Sequence, residues 1–172
     1  MNSSIALGCS HTQGVGVEPH QAWPALMGIQ NLGVSGVSAD FCYRMLQQTL
    51  QKQTVEEVYI LYPHWLRFEY RQDDVIFQSL PSDSNRIEFM ETHDEAWCWN
   101  NYTTVRTNIS LLCDAWDILL VEMTFEDMTG IINHADTWPA GSDGDHHGAQ
   151  WHQWVAGLFG VKRDWCKYVQ TG

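Results

Sequence analysis

The sequence predicts a three-layer α/β/α fold built on a parallel β-sheet. Three short runs, at residues 4–7, 58–62 and 117–122, are apolar along most of their length, as expected for strands that are buried on both faces of a parallel sheet. Segments with helical spacing of apolar residues separate these runs, and such alternation of strands and helices is typical of α/β proteins. At 172 residues the chain is long enough for one domain with a sizeable core, so we assign residues 1–172 to a single domain.

The first half of the chain supplies two strands and two helices. The first strand runs into a turn of small and polar residues, and a short helix is predicted at 21–29. Residues 30–34 are predicted to form a second strand that ends in a loop around Gly36. Ser38 suits the N-cap of the next helix, because a serine side chain can accept a hydrogen bond from the first turn. The apolar spacing places that helix at residues 39–53.

The third strand, at 58–62, is followed by an insertion that extends to about residue 100. Polar and apolar residues alternate on both sides of the polar segment 72–74, which predicts a β-hairpin over 65–80. Residues 81–99 contain proline, serine and aspartate without a regular period, which indicates an irregular loop.

The last part of the chain completes the alternation of helices and strands. Helices are predicted at 102–115 and 147–159, with the strand 117–122 and a short helix at 125–134 between them. From this alternation we expect the strand order 2-1-3-4, as in flavodoxin-like sheets, and ligands bind such sheets at the carboxyl edge.

Composition and charge exclude several classes of function. The chain carries a net charge of −12 with nine Lys and Arg residues, which argues against nucleic acids and anionic membrane surfaces as partners. Five cysteines without regular spacing do not form a disulfide framework. The chain has no run of about 18 apolar residues and no basic leader followed by an apolar stretch. We therefore expect a cytoplasmic protein without a membrane span, and no pattern indicates an oligomeric state.

Ser10 is the candidate nucleophile. It lies in the run Gly-Cys-Ser-His-Thr at residues 8–12, directly after the first strand. A serine on a tight turn before a helix lies where backbone N–H groups converge, which suits a nucleophile that generates an oxyanion. Serine is also an ordinary turn and N-cap residue, so this assignment depends on the residues that accompany it.

Its candidate partners lie near the other end of the chain, in the glycine-bracketed loop 142–148. Asp143 precedes His146 by three residues, a spacing that can bring both side chains to one face of a loop. A carboxylate in that position orients the imidazole and stabilises the imidazolium that forms when a serine is deprotonated.

In these segments the chain resembles the SGNH, or GDSL-type, hydrolases. Residues 8–12 resemble the nucleophile block of that family, residues 31–36 its glycine block, and the Asp-x-x-His-x-Gly run at 143–148 its terminal block. The resemblance implies Ser10 as nucleophile, His146 as base and Asp143 as the residue that orients it. It also implies an oxyanion hole that includes the backbone N–H groups of Ser10 and Gly36.

The chain departs from the family pattern at two positions. Cys9 occupies the place of the usual aspartate before the serine. The Gly-x-Asn block that normally follows the third strand, and supplies an oxyanion-hole amide, is replaced by Pro-His-Trp at 63–65. Loss of such a donor costs roughly 2.7–4 kcal/mol of transition-state stabilisation. His64 or Trp65 could donate the missing hydrogen bond, or both could pack under the hairpin.

The resemblance implies a carboxylic ester hydrolase that acts through an acyl-enzyme on short-chain or O-acetyl esters without a cofactor. The substrate is then a small-molecule or carbohydrate ester. We assign His11 as a structural or substrate-facing neighbour of the nucleophile. Trp97 and Trp99 are candidate substrate-binding residues, although packing over an edge is the more frequent role of such side chains.

Two alternatives remain at this point. The histidines and aspartates of segment 143–152, with His134 and Asp136, include the ligand types of a Zn²⁺ or Mn²⁺ hydrolase. Adjacent histidines point in different directions, however, and no HExxH pattern is present. The other alternative is a binding module that keeps the fold without catalysis, since a fold alone does not establish activity.

Overall fold

The computed structural model describes residues 3–72, 75–78, 95–124 and 138–171. The strands are β1 Ser4–Gly8, β2 Gln30–Asn31, β3 Glu57–Leu61, β4 Glu69–Gln72, β5 Val75–Gln78 and β6 Leu119–Met123. The helices are α1 Ser10–Gln13, a 3₁₀ helix Pro19–Gln21, α2 Trp23–Leu26, α3 Ala39–Leu50, α4 Glu95–Ala115 and α5 Ala149–Thr171.

The main sheet confirms the predicted strand order. Its four described strands lie in the order β2-β1-β3-β6, and all their pairings are parallel. The register pairs Gly8 at the end of β1 with Leu61 at the end of β3, and Leu61 in turn with Met123 of β6. The carboxyl ends of three strands therefore meet along one edge, and the turn that carries Ser10 begins there.

Helices cover both faces of this sheet, so the fold is a three-layer α/β/α sandwich as predicted. Strand residues on one face of the sheet, such as Ile5 and Ile60, pack with the buried faces of α3 and α4. Residues on the opposite face, such as Ala6 and Tyr59, pack with α2 and α5. Both faces of the central strands are apolar because both are covered, which explains their nearly continuous apolar sequence.

The predicted hairpin is confirmed as the antiparallel pair β4 and β5, with Gln72 opposite Val75. An ion pair holds its first strand to the body of the domain. Arg44 of α3 donates from Nε and Nη2 to the two carboxylate oxygens of Glu69, at 3.0 and 2.7 Å. Such a two-pronged contact fixes direction as well as distance, so it orients the hairpin relative to α3.

Two helices are longer than predicted. Helix α4 begins at Glu95, because its buried stripe extends back from Tyr102 to Cys98, one turn before the predicted start. Trp97 and Trp99 therefore lie on a helix and not in an irregular loop. Helix α5 runs to Thr171, about three turns past the predicted end. The short helix predicted at 125–134 lies outside the described residues.

A half-buried carboxylate joins α5 to the amino edge of the sheet. Glu57 of β3 accepts hydrogen bonds from Arg163 and Lys167 of α5, each at 2.7 Å, and from the Tyr59 hydroxyl at 2.8 Å. Burial opposes ionisation of Glu57, but these donors outweigh it and lower the pKa of the carboxyl to about 2. The network thus secures α5 at the edge opposite the candidate site. No helix in the described ranges is long and apolar enough to cross a membrane.

Candidate active site

The turn after β1 depends on Gly8. Its φ of +151° lies in a region that side-chain-bearing residues rarely adopt, and a Cβ there would lie 2.1 Å from Thr12 Oγ1 and 2.6 Å from the Leu61 carbonyl oxygen. Only glycine allows this close approach between the turn, α1 and β3. The chain can therefore reverse sharply at the sheet edge and enter α1 at Ser10.

Ser10 is the first residue of α1 and is almost completely buried. The preceding carbonyl, that of Cys9, accepts hydrogen bonds from the N–H groups of Thr12 and Gln13, both at 2.9 Å. The Ser10 hydroxyl lies 4.0 Å from the Cys9 sulfur. The Cys9 side chain thus lies beside the Ser10 hydroxyl.

Asp143 and His146 form a hydrogen-bonded pair in the loop before α5. His146 Nδ1 lies 2.6 Å from Asp143 Oδ2, while Asp143 Oδ1 accepts the backbone N–H groups of His146 at 3.1 Å and Asp145 at 3.2 Å. The hydrogen bonds from the backbone and ring of His146 lower the pKa of Asp143. The carboxylate therefore stays ionised and holds His146 with Nδ1 protonated and Nε2 available as a base.

The loop that carries this pair is docked on the turn that follows α1. Ser142 donates its backbone N–H to the Gly16 carbonyl at 2.7 Å, across 126 positions of sequence. The ring of His11, the residue after Ser10, contacts the ring of His146 with centroids 5.2 Å apart. The structure thus brings the Asp143–His146 pair against the helical turn that carries Ser10.

Gly16 is the point of closest approach between the two segments. Its φ is +88°, and a Cβ would lie 2.8 Å from Asp143 Oδ1 and 3.3 Å from His146 Cβ. We expect Gly16→Ala to displace the Asp143–His146 pair and lower kcat by about tenfold or more, because small misplacement of a base is costly. Gly28→Ala is the control, since that glycine also has positive φ but open space around it. Equal ester-hydrolysis rates for the two variants would contradict this role.

The loop that contains Gly36 is tied to α1 by two side chains. Asn31 donates from Nδ2 to the carbonyl oxygens of Thr12 and Gln13, at 2.9 and 3.3 Å. Gln13 Oε1 accepts the Ser35 N–H at 2.6 Å. Gly36 thus follows a residue that is bonded directly to a side chain of α1, and its assignment to the oxyanion hole remains a prediction.

His64 and Trp65 follow β3 at the same edge of the sheet. His64 Nδ1 accepts the Leu66 N–H at 3.2 Å, so the neutral ring carries its proton on Nε2. The ring of Trp65 stacks on His64, meets Trp99 edge-on and packs against the core cluster beneath α3 and α4. Of the two predicted donors, the indole therefore has the clearer packing role.

Trp97 and Trp99 pack against the residues that lead into the hairpin. Trp97 meets Phe68 edge-on at 5.8 Å, and Trp99 meets Trp65 in the same way at 5.9 Å. Trp97 is 37% exposed and Trp99 is 46% exposed. They form an aromatic surface at the start of α4, and their role in substrate binding remains a prediction.

A cluster of neutral histidines surrounds the candidate base. Burial, together with the nearby His147, His146, His152 and Arg67, lowers the pKa of His11 to about 3. The ring of His147 stacks on Trp151, and His152 Nδ1 accepts the Trp23 N–H at 3.2 Å. Within the described ranges, no three His, Cys, Asp or Glu side chains are arranged to hold a metal ion; His134 and Asp136 lie outside those ranges.

The buried histidines predict loss of stability in mild acid. Burial, reinforced by neighbouring histidines, lowers the pKa of His152 to about 4, against about 6.5 in the unfolded chain. As pH falls from 6.5 to 4, the unfolded state binds a proton that the folded state does not. The free energy of unfolding should therefore decrease, by on the order of 1 kcal/mol per pH unit for this group.

Urea unfolding between pH 7 and 4.5 measures this effect. We expect His152→Gln to flatten the pH dependence of the free energy of unfolding relative to the unsubstituted protein. His20→Gln, at an exposed position, should leave the dependence unchanged. Identical slopes for the His152 variant and the unsubstituted protein would contradict the prediction.

Sequence reasoning did not anticipate three parts of this site: the contact of Gly16 with the acid–base pair, the two side-chain ties to the Gly36 loop, and the Trp151 ring beneath the histidines. In the sequence, the closely spaced pair Gly14 and Gly16 was the local signal of an unusual turn at this place. The structure gives these two glycines positive φ angles of 89° and 88°.

Similarities to solved structures extend over nearly the whole chain. One is to a protein from Desulfitobacterium hafniense DCB-2 described as lipolytic and of the G-D-S-L family, at 14% identity, with 94% of this chain and 99% of the other covered and a TM-score of 0.45. Another is to an alpha/beta hydrolase enzyme from the metagenome of Lake Arreo, Spain, at 16% identity, with 94% of each chain covered and a TM-score of 0.49. No protein-family model and no curated protein matches the sequence. The chain is thus similar, over 94% of its length, to one protein described as of the G-D-S-L family and to one described as an alpha/beta hydrolase.

Proposed function

We propose that this protein is a serine-dependent carboxylic ester hydrolase in which Ser10 is the nucleophile, His146 the general base and Asp143 the residue that orients it. The observation that carries this proposal is the docking of the hydrogen-bonded Asp143–His146 pair against the helical turn of Ser10 at the carboxyl edge of the sheet. That edge is where open α/β sheets bind ligands.

The proposed chemistry proceeds through an acyl-enzyme. His146 Nε2 accepts the proton of the Ser10 hydroxyl as the oxygen attacks the ester carbonyl. The protonated imidazole then donates that proton to the departing alcohol, while the Asp143 carboxylate stabilises its positive charge. Water, deprotonated by the same imidazole, then attacks the acyl-enzyme; the bond to Ser10 Oγ breaks, the imidazolium returns the proton to that oxygen, and the acid is released.

The proposed substrates are short-chain or O-acetyl esters. Ser10 is 4% exposed, and a nucleophile so enclosed favours small acyl chains. The exposed indoles of Trp97 and Trp99 offer an apolar surface at the same edge, and aromatic surfaces of this kind suit the alcohol part of a sugar ester.

Labelling with a fluorophosphonate tests the proposal directly. We expect the intact protein to be labelled at Ser10, as located by peptide mass spectrometry, and to hydrolyse 4-nitrophenyl acetate in the presence of a chelator. A catalytically inactive binding module would show neither result. Activity that is lost with the chelator and restored by Zn²⁺ would instead favour metal-dependent hydrolysis.

We further propose that His64 supplies the oxyanion-hole donor that the missing asparagine would have given. Its Nδ1 accepts a backbone N–H, which leaves the proton on Nε2. His64→Ala should lower kcat and kcat/KM together by roughly 100-fold, as loss of a transition-state contact does. Trp65→Phe keeps an aromatic ring without the N–H and should lower kcat by less than about threefold. A larger loss at Trp65 than at His64 would reverse the assignment.

A further inference from the structure

Arg67 differs from the other arginines whose side chains the structure describes. Arg44, Arg106 and Arg163 each form an ion pair with a glutamate at 2.7 Å. Arg67 has no such partner among the described carboxylates, although the chain contains 21 acidic residues and only nine basic ones. The other three arginines all find a glutamate within the described part of the chain, so the absence of such a pair for Arg67 among those residues is unexpected on structural grounds.

The guanidinium of Arg67 is also largely withdrawn from water. Its Nε and Nη1 atoms are buried, and none of the described groups accepts a hydrogen bond from them. A buried donor left unsatisfied destabilises the folded protein. Proteins retain such a feature where a ligand completes the missing contacts, since stability is commonly sacrificed at functional sites.

Arg67 lies at the edge of the sheet where Ser10 lies. It closes the turn that follows β3, with its N–H bonded to the His64 carbonyl at 2.9 Å, and β3 is paired with β1 up to Gly8. Its positive charge also contributes to the low pKa of His11, but less than the three neighbouring histidines do. The guanidinium therefore lies within electrostatic range of His11.

We propose that Arg67 binds a carboxylate of the ester substrate, so that the protein prefers esters that carry a negative charge beside the scissile bond. This inference rests on the proposed esterase function and deepens it. A guanidinium presents several N–H donors in a fixed plane that match a carboxylate. A single local cation would thus select a charge that the protein as a whole repels.

The acetyl esters of 3-hydroxybenzoate and 3-hydroxybenzamide test this preference, because they match in size and differ in charge. We expect the unsubstituted protein to show a higher kcat/KM for the carboxylate ester. Arg67→Gln should lower that value by about tenfold to 100-fold, and change the value for the amide ester by less than about twofold. Arg163→Gln, an arginine variant on α5 at the opposite edge, should leave both values unchanged.

Each other outcome overturns the proposal. Equal losses for both esters would assign Arg67 to the oxyanion or to the positioning of catalytic groups, and no preference in the unsubstituted protein would exclude a carboxylate site. Thermal unfolding gives a second measurement: Arg67→Gln should unfold at the same or a higher temperature, whereas a structural arginine would lower it. A lower unfolding temperature would therefore also reject the assignment.

A binding measurement separates this proposal from the proposed function. The product 3-hydroxybenzoate should raise the unfolding temperature of the unsubstituted protein, and 3-hydroxybenzamide should raise it less. Arg67→Gln should abolish this difference. If neither ester is hydrolysed but the difference is present, the esterase function fails and the carboxylate site stands. If both esters are hydrolysed and no difference appears, the carboxylate site fails alone.

Discussion

Replacing Ser10 with alanine is expected to lower kcat for 4-nitrophenyl acetate by at least about 10,000-fold, with little change in the temperature of unfolding. Removal of the hydroxyl eliminates the covalent route, and the remaining rate comes only from binding and the oxyanion hole. The side chain is small and forms no strong hydrogen bond in the structure, because its described contact is with the Cys9 sulfur at 4.0 Å. The loss should therefore be one of chemistry and not of folding.

Ser142→Ala is the matched control for this experiment. Ser142 is the other serine beside the acid–base pair, and its backbone N–H keeps the bond to Gly16 when the hydroxyl is lost. We expect this variant to retain ester hydrolysis within about threefold and to be labelled by a fluorophosphonate as before. Comparable losses for the two serine variants would show that the loop, and not the Ser10 hydroxyl, determines the rate.

Replacing His146 with alanine is expected to lower kcat by about 1,000-fold or more, since a serine hydroxyl without a base remains protonated and is a poor nucleophile. His147→Ala should lower kcat by less than about tenfold. The two residues are adjacent, but the structure separates them: His146 bonds Asp143 at 2.6 Å, whereas His147 stacks on Trp151. Activity against a short acyl ester, measured with a chelator present, distinguishes the two.

Small-molecule rescue sharpens this comparison. Imidazole added to His146→Ala should restore part of the lost activity if the missing group is a base, and it should have no effect on His147→Ala. Equal losses for the two variants would contradict the assignment of the base and favour a site in which both histidines act together.

The strand order and the helices were predictable because their signals are local. Apolar runs such as 58–62 indicate strands that are buried on both faces of the sheet. Helix α3 begins directly after Ser38, where a capping serine precedes an apolar stripe. Boundaries were less predictable. Helix α4 starts seven residues before its predicted beginning at 102, since the sequence 95–101 is polar and aromatic, and only its packing against the core makes Cys98 a buried helical position.

The candidate catalytic residues stay a prediction, which the sequence makes as a set because Ser10 and the pair Asp143 and His146 each lie in a short, recognisable motif. What the motifs do not specify is how the two segments meet. That depends on Gly16, which lies against Asp143 across more than 120 positions of sequence and whose lack of a Cβ matters only after the chain has folded.

The sequence by itself therefore determined the fold class and the order of the strands, through apolar runs and helical spacings that alternate along the chain, and it supplied the motifs on which the proposed chemistry depends. The tertiary structure alone decided which groups are brought together: the ring of His11 against His146, the shared burial of the histidines, and an Arg67 guanidinium whose buried Nε and Nη1 meet no acceptor among the described residues. The physical reason is that burial and electrostatic environment depend on all the elements packed around a group, and no local pattern records them.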